Sequence, residues 1–179
     1  LRDQNIVGKI TLYATSKLGY KNLTKLSSLS YLKNNKTAEP ACEFNDLISN
    51  NEDLILLTGS YHNFFGKLFY ANKIKDFEKI ISSLKTHFKN RLYFEIQRHG
   101  ETEEKNFENH LLNLSKILDI PLIATQEVFY MRDNMYEAHD ALTCIGEKKF
   151  IDDNNRFKYS DQHYLKKNEE LLKLYSDIP

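Results

Sequence analysis

The stretch RLYFEIQRHG, residues 91–100, decides the fold that this sequence predicts. Its apolar part, residues 92–96, has the composition of a buried β-strand. Polar residues stand at the end of that strand, including Glu95 and His99, and Gly100 terminates it. In parallel α/β sheets the functional side chains gather at the carboxyl ends of the strands. The stretch therefore predicts a strand whose end carries candidate ligands.

The same pattern of a strand followed by a helix recurs along the chain. Four such units are too few to close an eight-stranded barrel, so we expect part of a barrel or an open sheet. The helix at 134–145 presents an apolar stripe, and Asn168 is the expected N-cap of the last helix. The predicted strands are 9–14, 53–59, 93–97 and 121–125, and the predicted helices are 16–32, 43–49, 73–88, 103–118, 134–145 and 169–175.

Length and composition limit the classes of function. A chain of 179 residues fits one domain with a sizeable core. Because 25 basic residues balance 25 acidic ones, the chain lacks the positive charge that an independent nucleic-acid binder needs. Cys42 and Cys144 are predicted to be free thiols in a reducing cytoplasm. No apolar run approaches the roughly 20 residues of a membrane span.

Candidate functional residues follow the predicted strands, and each has a structural alternative. Glu95 and His99 are plausible ligands for Zn or Mn, or else polar residues of a solvated strand end, because metal sites need three or more ligands. Ser60, Tyr61 and His62 could hold a phosphate or be ordinary surface residues. The segment 126–130, which includes Glu127, Phe129 and Tyr130, either lines a pocket or forms a packed lid over the core.

The remaining histidines and basic residues are given structural roles. His139 lies inside a helical pattern and is expected to pack, partly buried, against the preceding loop rather than to bind a metal. Other histidines have no partner at ligand spacing and are expected at the surface, and small basic patches are expected to be solvated. These are His87, His110 and His163, and the patches Arg156–Lys158 and Lys166–Lys167.

Five segments, in order, resemble the PHP (polymerase and histidinol phosphatase) domain of bacterial replicative DNA polymerase III alpha subunits. Each motif alone is weak, but five in the same order are specific. They are GYKNLTKLSSLSY (19–31), DLILLTGS (53–60), RLYFEIQRHG (91–100), PLIATQEVFYMRDNMYEAHDAL (121–142) and YSDQHYLKKNEELLKLYSDIP (159–179).

The resemblance implies a distorted (β/α)7 barrel, with mostly parallel strands and outer helices, of which residues 1–179 form a part. It also implies that the first strands, with an H-x-H metal motif, precede Leu1 and are absent from this chain. We expect an exposed sheet edge where those strands would lie, with self-association as its consequence.

The resemblance also assigns the residues of a metal site, and this chain departs from the family's pattern. Glu95 and His99 stand where the pattern requires ligands, and Glu127 retains a carboxylate on a longer arm. Ser60 replaces a cysteine and Phe129 replaces a histidine, and neither makes up for the lost ligand. The implied centre is degenerate. No cofactor is therefore expected here, and Zn or Mn would bind only if the site were active.

The function implied by the resemblance belongs to a longer parent chain. That parent is a DNA-directed DNA polymerase, which uses Mg in another domain and contacts DNA there. This region would be a structural platform and a binding surface for the proofreading exonuclease subunit of the polymerase III holoenzyme, in the cytoplasm and away from membranes. The alternative is a metal-dependent phosphoesterase or 3′–5′ exonuclease of the PHP type. An unrelated α/β-barrel enzyme is a third possibility.

Overall fold

The computed structural model describes residues 1–3, 6–33 and 40–178. The chain divides into two compact units. Unit 1 contains nearly the whole β-sheet, and unit 2 contains the C-terminal helices with their connecting loops. The bounds are Leu1–Ile96 with Asn106–Ile123 for unit 1, and Gln97–Lys105 with Ala124–Pro179 for unit 2.

The strands of the described residues form a two-stranded and a four-stranded sheet. They are β1 Arg2–Asp3, β2 Ile6–Val7, β3 Thr11–Ala14, β4 Leu54–Leu57, β5 Leu92–Ile96 and β6 Leu122–Ala124. The larger sheet has the order β3-β4-β5-β6. The strands β4 and β5 are parallel, with Leu56 opposite Leu92, whereas β3 runs antiparallel to β4. In this part of the chain β3 therefore stands at one end of the sheet, and the sheet is open.

The helices alternate with the strands of the larger sheet. They are α1 Lys17–Leu32, α2 Phe44–Ser49, α3 Phe64–Tyr70, α4 Ile74–Phe88, α5 Thr102–Leu118, α6 Tyr136–Glu147 and α7 Asn168–Leu174. Short 3-10 turns occur at Lys89–Arg91 and Asp133–Met135. None of the helices in the described ranges is long and apolar enough to cross a bilayer.

The core of unit 1 is formed by apolar side chains from the sheet and its helices. The five apolar residues of the α4 stripe are buried against β4 and β5 because they share one face at helical spacing. Phe65 of α3 lies edge-on to Phe77 of α4, with ring centroids 5.2 Å apart. Each such side chain contributes about 1.5–3 kcal/mol when it leaves water. The stripe consists of Phe77, Ile80, Ile81, Leu84 and Phe88.

The expected α/β class, with outer helices and mostly parallel strands, is confirmed, and the predicted helices and strands are present with shifted ends. The antiparallel pairing of β3 departs from the parallel arrangement expected from alternation. The helix α3 was not predicted, because FFGKLFY is apolar on most sides and has no stripe. The predicted cap Asn168 is instead the first helical residue, and the N–H of Lys167 donates to Glu170 at 2.8 Å. Both cysteines are free thiols, as predicted.

Candidate metal centre

Unit 1 contains three of the residues that the sequence assigns to a site. Glu95 lies in β5 with only 5% of its surface exposed, and its N–H donates to Thr58 Oγ1 at 3.0 Å. Ser60 and His62 lie in the turn after β4, where His62 is exposed. Gly59 makes that turn with φ +83°, and a Cβ there would approach the side-chain Nδ2 of Asn63 to 2.2 Å. The turn is therefore specific for glycine.

Unit 2 contains His99, whose two ring nitrogens both have partners. The side chain is buried, with 3% of the residue exposed. The backbone N–H of Glu127 donates to Nε2 at 3.3 Å, and Nδ1 lies 3.1 Å from Glu104 Oε1. Because a backbone N–H can only donate, Nε2 is the acceptor, and Nδ1 carries the proton that is shared with Glu104. The ring is held in one tautomer and one orientation.

Glu104, in the first turn of α5, organises the loop around His99. Its carboxylate accepts the N–H groups of His99, at 2.7 and 2.9 Å, and of Glu101, at 3.2 Å. Burial raises the pKa of Glu104, but the hydrogen bonds from His99 and Glu101 outweigh burial, so the pKa is lowered. Glu104 was not among the predicted site residues. An acid in the first turn of a predicted helix was the available signal.

His163 stacks on His99, which corrects the prediction that it lies at the surface. The ring centroids are 4.1 Å apart, the ring planes differ by 3°, and His163 is only 3% exposed. Its Nδ1 lies 3.2 Å from the carbonyl oxygen of Glu127, to which it donates. Burial, as the larger cause, and the neighbouring His99 lower the pKa of His163 to about 4. Spacing in the sequence gave no sign of this contact, because the two histidines come from distant segments.

Phe129 packs in an aromatic cluster with the histidines of unit 2. Its ring centroid lies 4.9 Å from that of His163, 5.3 Å from that of His139 and 4.5 Å from that of Tyr159. The Phe129 and His139 rings are nearly parallel, at 7°. His139 is half-buried, and the side chain of Glu127 is exposed. The main chain of Glu127, rather than its carboxylate, thus bonds to both His99 and His163, the two rings that stack on each other.

Segment 126–130 makes contacts within unit 2 to the residues that precede α7. Gln126 Nε2 donates to the Tyr164 carbonyl oxygen at 2.6 Å, and Tyr130 forms an isolated bridge with Tyr164. Tyr130 is 6% exposed. These contacts join the segment to the residues that precede α7, whereas the side chains of Glu127, Val128 and Phe129 are exposed.

Comparisons with known proteins identify the family. The profile of the PHP domain matches residues 3–99, which is more than half of the chain. The chain belongs to the PHP domain family.

The relatives of this PHP domain are polymerase subunits. DNA polymerase III subunit alpha of Caulobacter vibrioides is 34% identical over 170 residues, 95% of this chain. The subunit of Rickettsia prowazekii is 36% identical over 177 residues, 99% of the chain, and that of Borreliella burgdorferi is 33% identical over 184 residues, 100% of the chain. The chain spans about 15% of the length of these relatives. It corresponds to a PHP region of the kind found in DNA polymerase III alpha subunits.

The side chains of this PHP domain do not fit a metal ion by themselves. Across the described ranges, no three or more His, Cys, Asp and Glu residues are grouped so that they could hold one. The two ring nitrogens of His99 face Glu104 and Glu127, and the Phe129 ring supplies no donor atom. A metal at His99 would have to displace one of these hydrogen bonds.

Three further predictions about surface residues need correction. His110 is half-buried beside Phe69, with ring centroids 4.9 Å apart, because α5 packs in the aromatic core of unit 1. Arg156 forms a two-bond ion pair with Asp140 at 2.5 and 2.8 Å. Lys166 is 8% exposed because its ammonium lies over the Tyr164 ring, at 4.3 Å.

Proposed function

We propose that this chain is part of a DNA polymerase III alpha subunit, in which it serves as a structural platform and as a binding surface for the proofreading exonuclease subunit. The relatives support the first half of the proposal, because they carry this name and align with nearly all of the chain. The DNA-directed polymerase activity, its Mg ions and its contacts with DNA would then reside in the rest of the subunit, within a cytoplasmic holoenzyme.

We propose further that the metal site of this PHP region is degenerate. The observation that carries this proposal is the aromatic cluster around Phe129. The resemblance implies that metal-competent PHP domains have a histidine at the position of Phe129. Here the Phe129 ring stacks against His139 and His163 instead. The hydrogen bonds of His99 to Glu104 and Glu127 support the same conclusion. In this arrangement the histidines pack and hydrogen-bond, and the site contributes to stability rather than to catalysis.

The rival function is a metal-dependent phosphoesterase or 3′–5′ exonuclease. One observation favours it: Glu95 is a carboxylate buried to 95% at the end of β5, and such residues are rarely buried without a specific role. A ligand set completed by residues outside this chain would give Glu95 that role. The two functions differ in whether the intact protein retains a metal and has hydrolytic activity.

The test uses the full-length subunit that contains this chain, purified without added metal. We expect elemental analysis to find no stoichiometric Zn or Mn, and we expect no phosphatase or exonuclease turnover with added Mn. His99→Ala is the test variant, and His87→Ala is the matched control because His87 is exposed. Retained metal, together with hydrolysis that His99→Ala abolishes and His87→Ala leaves intact, would establish the rival function.

Binding of the exonuclease is tested separately. The full-length subunit and its organism's proofreading exonuclease are mixed and followed by sedimentation velocity. We expect a complex that is lost when residues 1–179 are deleted and that is retained when His99→Ala is introduced. A complex that survives the deletion would show that the binding surface lies in another part of the subunit.

A further inference from the structure

The helix α6 of unit 2 presents its apolar residues to solvent. Four apolar residues follow one another at helical spacing, beginning at the N-cap Met135, and all are exposed. Leu142 is 64% and Ile145 is 74% exposed, whereas the buried residues of the helix are Asp140 and Cys144. Amphipathic helices normally turn their apolar face to the core. The α6 apolar stripe, as we call it, consists of Met135, Ala138, Leu142 and Ile145.

The orientation of α6 is fixed by polar contacts on its opposite side. Arg156 binds both carboxylate oxygens of Asp140, and the two side chains are only 7% and 11% exposed. Arg156 Nε also donates to the Ile151 carbonyl oxygen at 3.0 Å, and the N–H of Lys149 donates to the Cys144 carbonyl oxygen at 2.9 Å. Rolling the helix to bury its stripe would expose this ion pair. The outward stripe is therefore a built feature of unit 2.

Two more exposed apolar residues follow the C-terminus of α6. Phe150 is 80% and Ile151 is 59% exposed. The loop that carries them is held to α6 at both ends, because Lys149 bonds to Cys144 and Arg156 bonds to Asp140 of that helix. Contiguous exposed apolar surface is uncommon on independent proteins and marks interaction sites.

The comparisons favour one occupant for this surface. The stripe lies outside residues 3–99, which the general PHP profile matches, but inside the segment that aligns with DNA polymerase III alpha subunits. Those subunits are several times longer, because the chain spans only about 15% of them. Polypeptide in the same molecule has a high effective concentration at such a surface. The shared region and the long remaining polypeptide therefore both favour an intramolecular partner.

We infer that the α6 apolar stripe is the docking surface for a part of the same polypeptide that lies outside these 179 residues. The spacing of the stripe suits an apolar helix that packs along α6, as residues three and four apart form one seam. The inference rests on the proposed function, since it requires that the chain belongs to a longer polymerase subunit. It adds which surface of this region faces the remainder of the subunit.

The first experiment measures the accessibility of the stripe by cysteine labelling. Ile145→Cys is placed in a Cys42→Ser background, both in the full-length subunit and in the 179-residue chain, and its reaction with a maleimide is timed. We expect labelling to be slower in the full-length subunit by a factor on the order of ten or more, as for a surface exposed only by local opening. Leu172→Cys is the matched control, because Leu172 is 75% exposed on α7, and its rate should be equal in both proteins.

Equal Ile145→Cys rates in the two proteins overturn the inference. Fast labelling in both proteins would mean that the surface is open. Slow labelling in both, which becomes faster on dilution, would mean that a second copy of the chain covers it. Protection that appears only when the exonuclease subunit is added would mean that a separate protein is the occupant. The proposed function fails in a different way: the reading frame that encodes this chain would then contain no polymerase.

A second measurement does not depend on the folding of the isolated chain. Leu142→Asp and Leu172→Asp are each introduced into the full-length subunit, and thermal unfolding is followed. Because both residues are exposed in unit 2, Asp at either position is tolerated by the unit itself. We expect Leu142→Asp to lower the melting temperature by about 3 °C or more and Leu172→Asp to leave it unchanged. No effect of Leu142→Asp would overturn the inference.

Discussion

The two units of this chain differ in what they bury. The buried residues of unit 1 are mainly Phe, Leu and Ile, in the sheet and in α3, α4 and α5. In unit 2 the buried residues are mainly polar or charged, and both units also expose some large apolar side chains. The buried polar residues of unit 2 are His99, Glu104, Asp140, His163 and Lys166, and its strongly exposed apolar residues include Leu142, Ile145 and Phe150.

The difference teaches how each unit is stabilised. Unit 1 is stabilised by the removal of apolar surface from water, which is roughly proportional to the area buried and insensitive to pH. Unit 2 depends on matched polar partners, where the loss of one partner leaves the other buried without compensation. Such a unit is sensitive to pH.

The largest expected effect is a cavity in unit 1. Phe77 is fully buried and contacts Phe65 and Phe107. We expect Phe77→Ala to lower the free energy of unfolding by about 3–5 kcal/mol, measured by urea denaturation. Both variants are made in the 179-residue chain, and the control is Phe150→Ala in unit 2, where we expect a change within about 0.5 kcal/mol because the ring is 80% exposed there. Similar losses for the two variants would contradict the comparison.

The next effect concerns the buried ion pair of unit 2. We expect Asp140→Ala to lower the free energy of unfolding, as measured by urea denaturation, because the Arg156 guanidinium, only 7% exposed, loses its carboxylate partner. The double variant Asp140→Leu with Arg156→Leu should be less destabilised than Asp140→Ala, since no charge is left buried. The single variants Asp140→Leu and Arg156→Leu complete the comparison. If the double variant loses as much stability as the sum of these two, the pair is not coupled, and unit 2 does not depend on matched partners.

The fold of unit 1 was predictable because its signal is local. The apolar runs of β4 and β5 and the stripe of α4 are written in consecutive residues, so their burial follows from periodicity. The antiparallel pairing of β3 was not predictable, because it depends on how α1 and α2 return the chain to β4. Alternation of strands and helices specifies the elements but not the direction of each strand.

The site of unit 2 was predictable only in part. The sequence indicated His99, Glu127 and Phe129, and all three lie in the cluster of unit 2. It missed Glu104 and His163, since their contacts join distant segments. It also presented Met135, Ala138, Leu142 and Ile145 as one apolar stripe, but periodicity cannot tell whether such a stripe faces a core or another molecule.

A smaller effect is the pH dependence that His163 gives to unit 2. The ordinary pKa of histidine is 6.5, and burial with the nearby His99 lowers that of His163 to about 4 in the folded protein. The unfolded chain therefore binds a proton that the folded chain does not, so stability is complete above pH 6.5 and falls as the pH decreases toward 4. Between pH 8 and pH 5 we expect a loss of about 2 kcal/mol, measured by urea denaturation.

Two variants separate this effect from other titrations. His163→Gln should be less stable than the wild type at pH 8 but should lose less stability between pH 8 and pH 5. His87→Gln should keep the full pH dependence, because His87 is exposed. Glu104 does not interfere, since its pKa is lowered and it titrates below this range. An unchanged pH profile in His163→Gln would remove His163 as the cause.

The smallest effect comes from the second two-bond Arg–Asp pair of unit 2, which differs from the first in exposure. Arg98 contacts Asp177 at 2.6 and 2.9 Å, which lowers the pKa of Asp177, but the Asp177 side chain is 65% exposed. We expect Asp177→Asn to lower the free energy of unfolding only slightly, as measured by urea denaturation, and less in 1 M salt, because water and ions screen an exposed pair. Asp140→Asn should cost several times more and should be insensitive to salt. Since the two pairs share one geometry, equal costs would mean that pairing itself, rather than burial, sets the stability of unit 2.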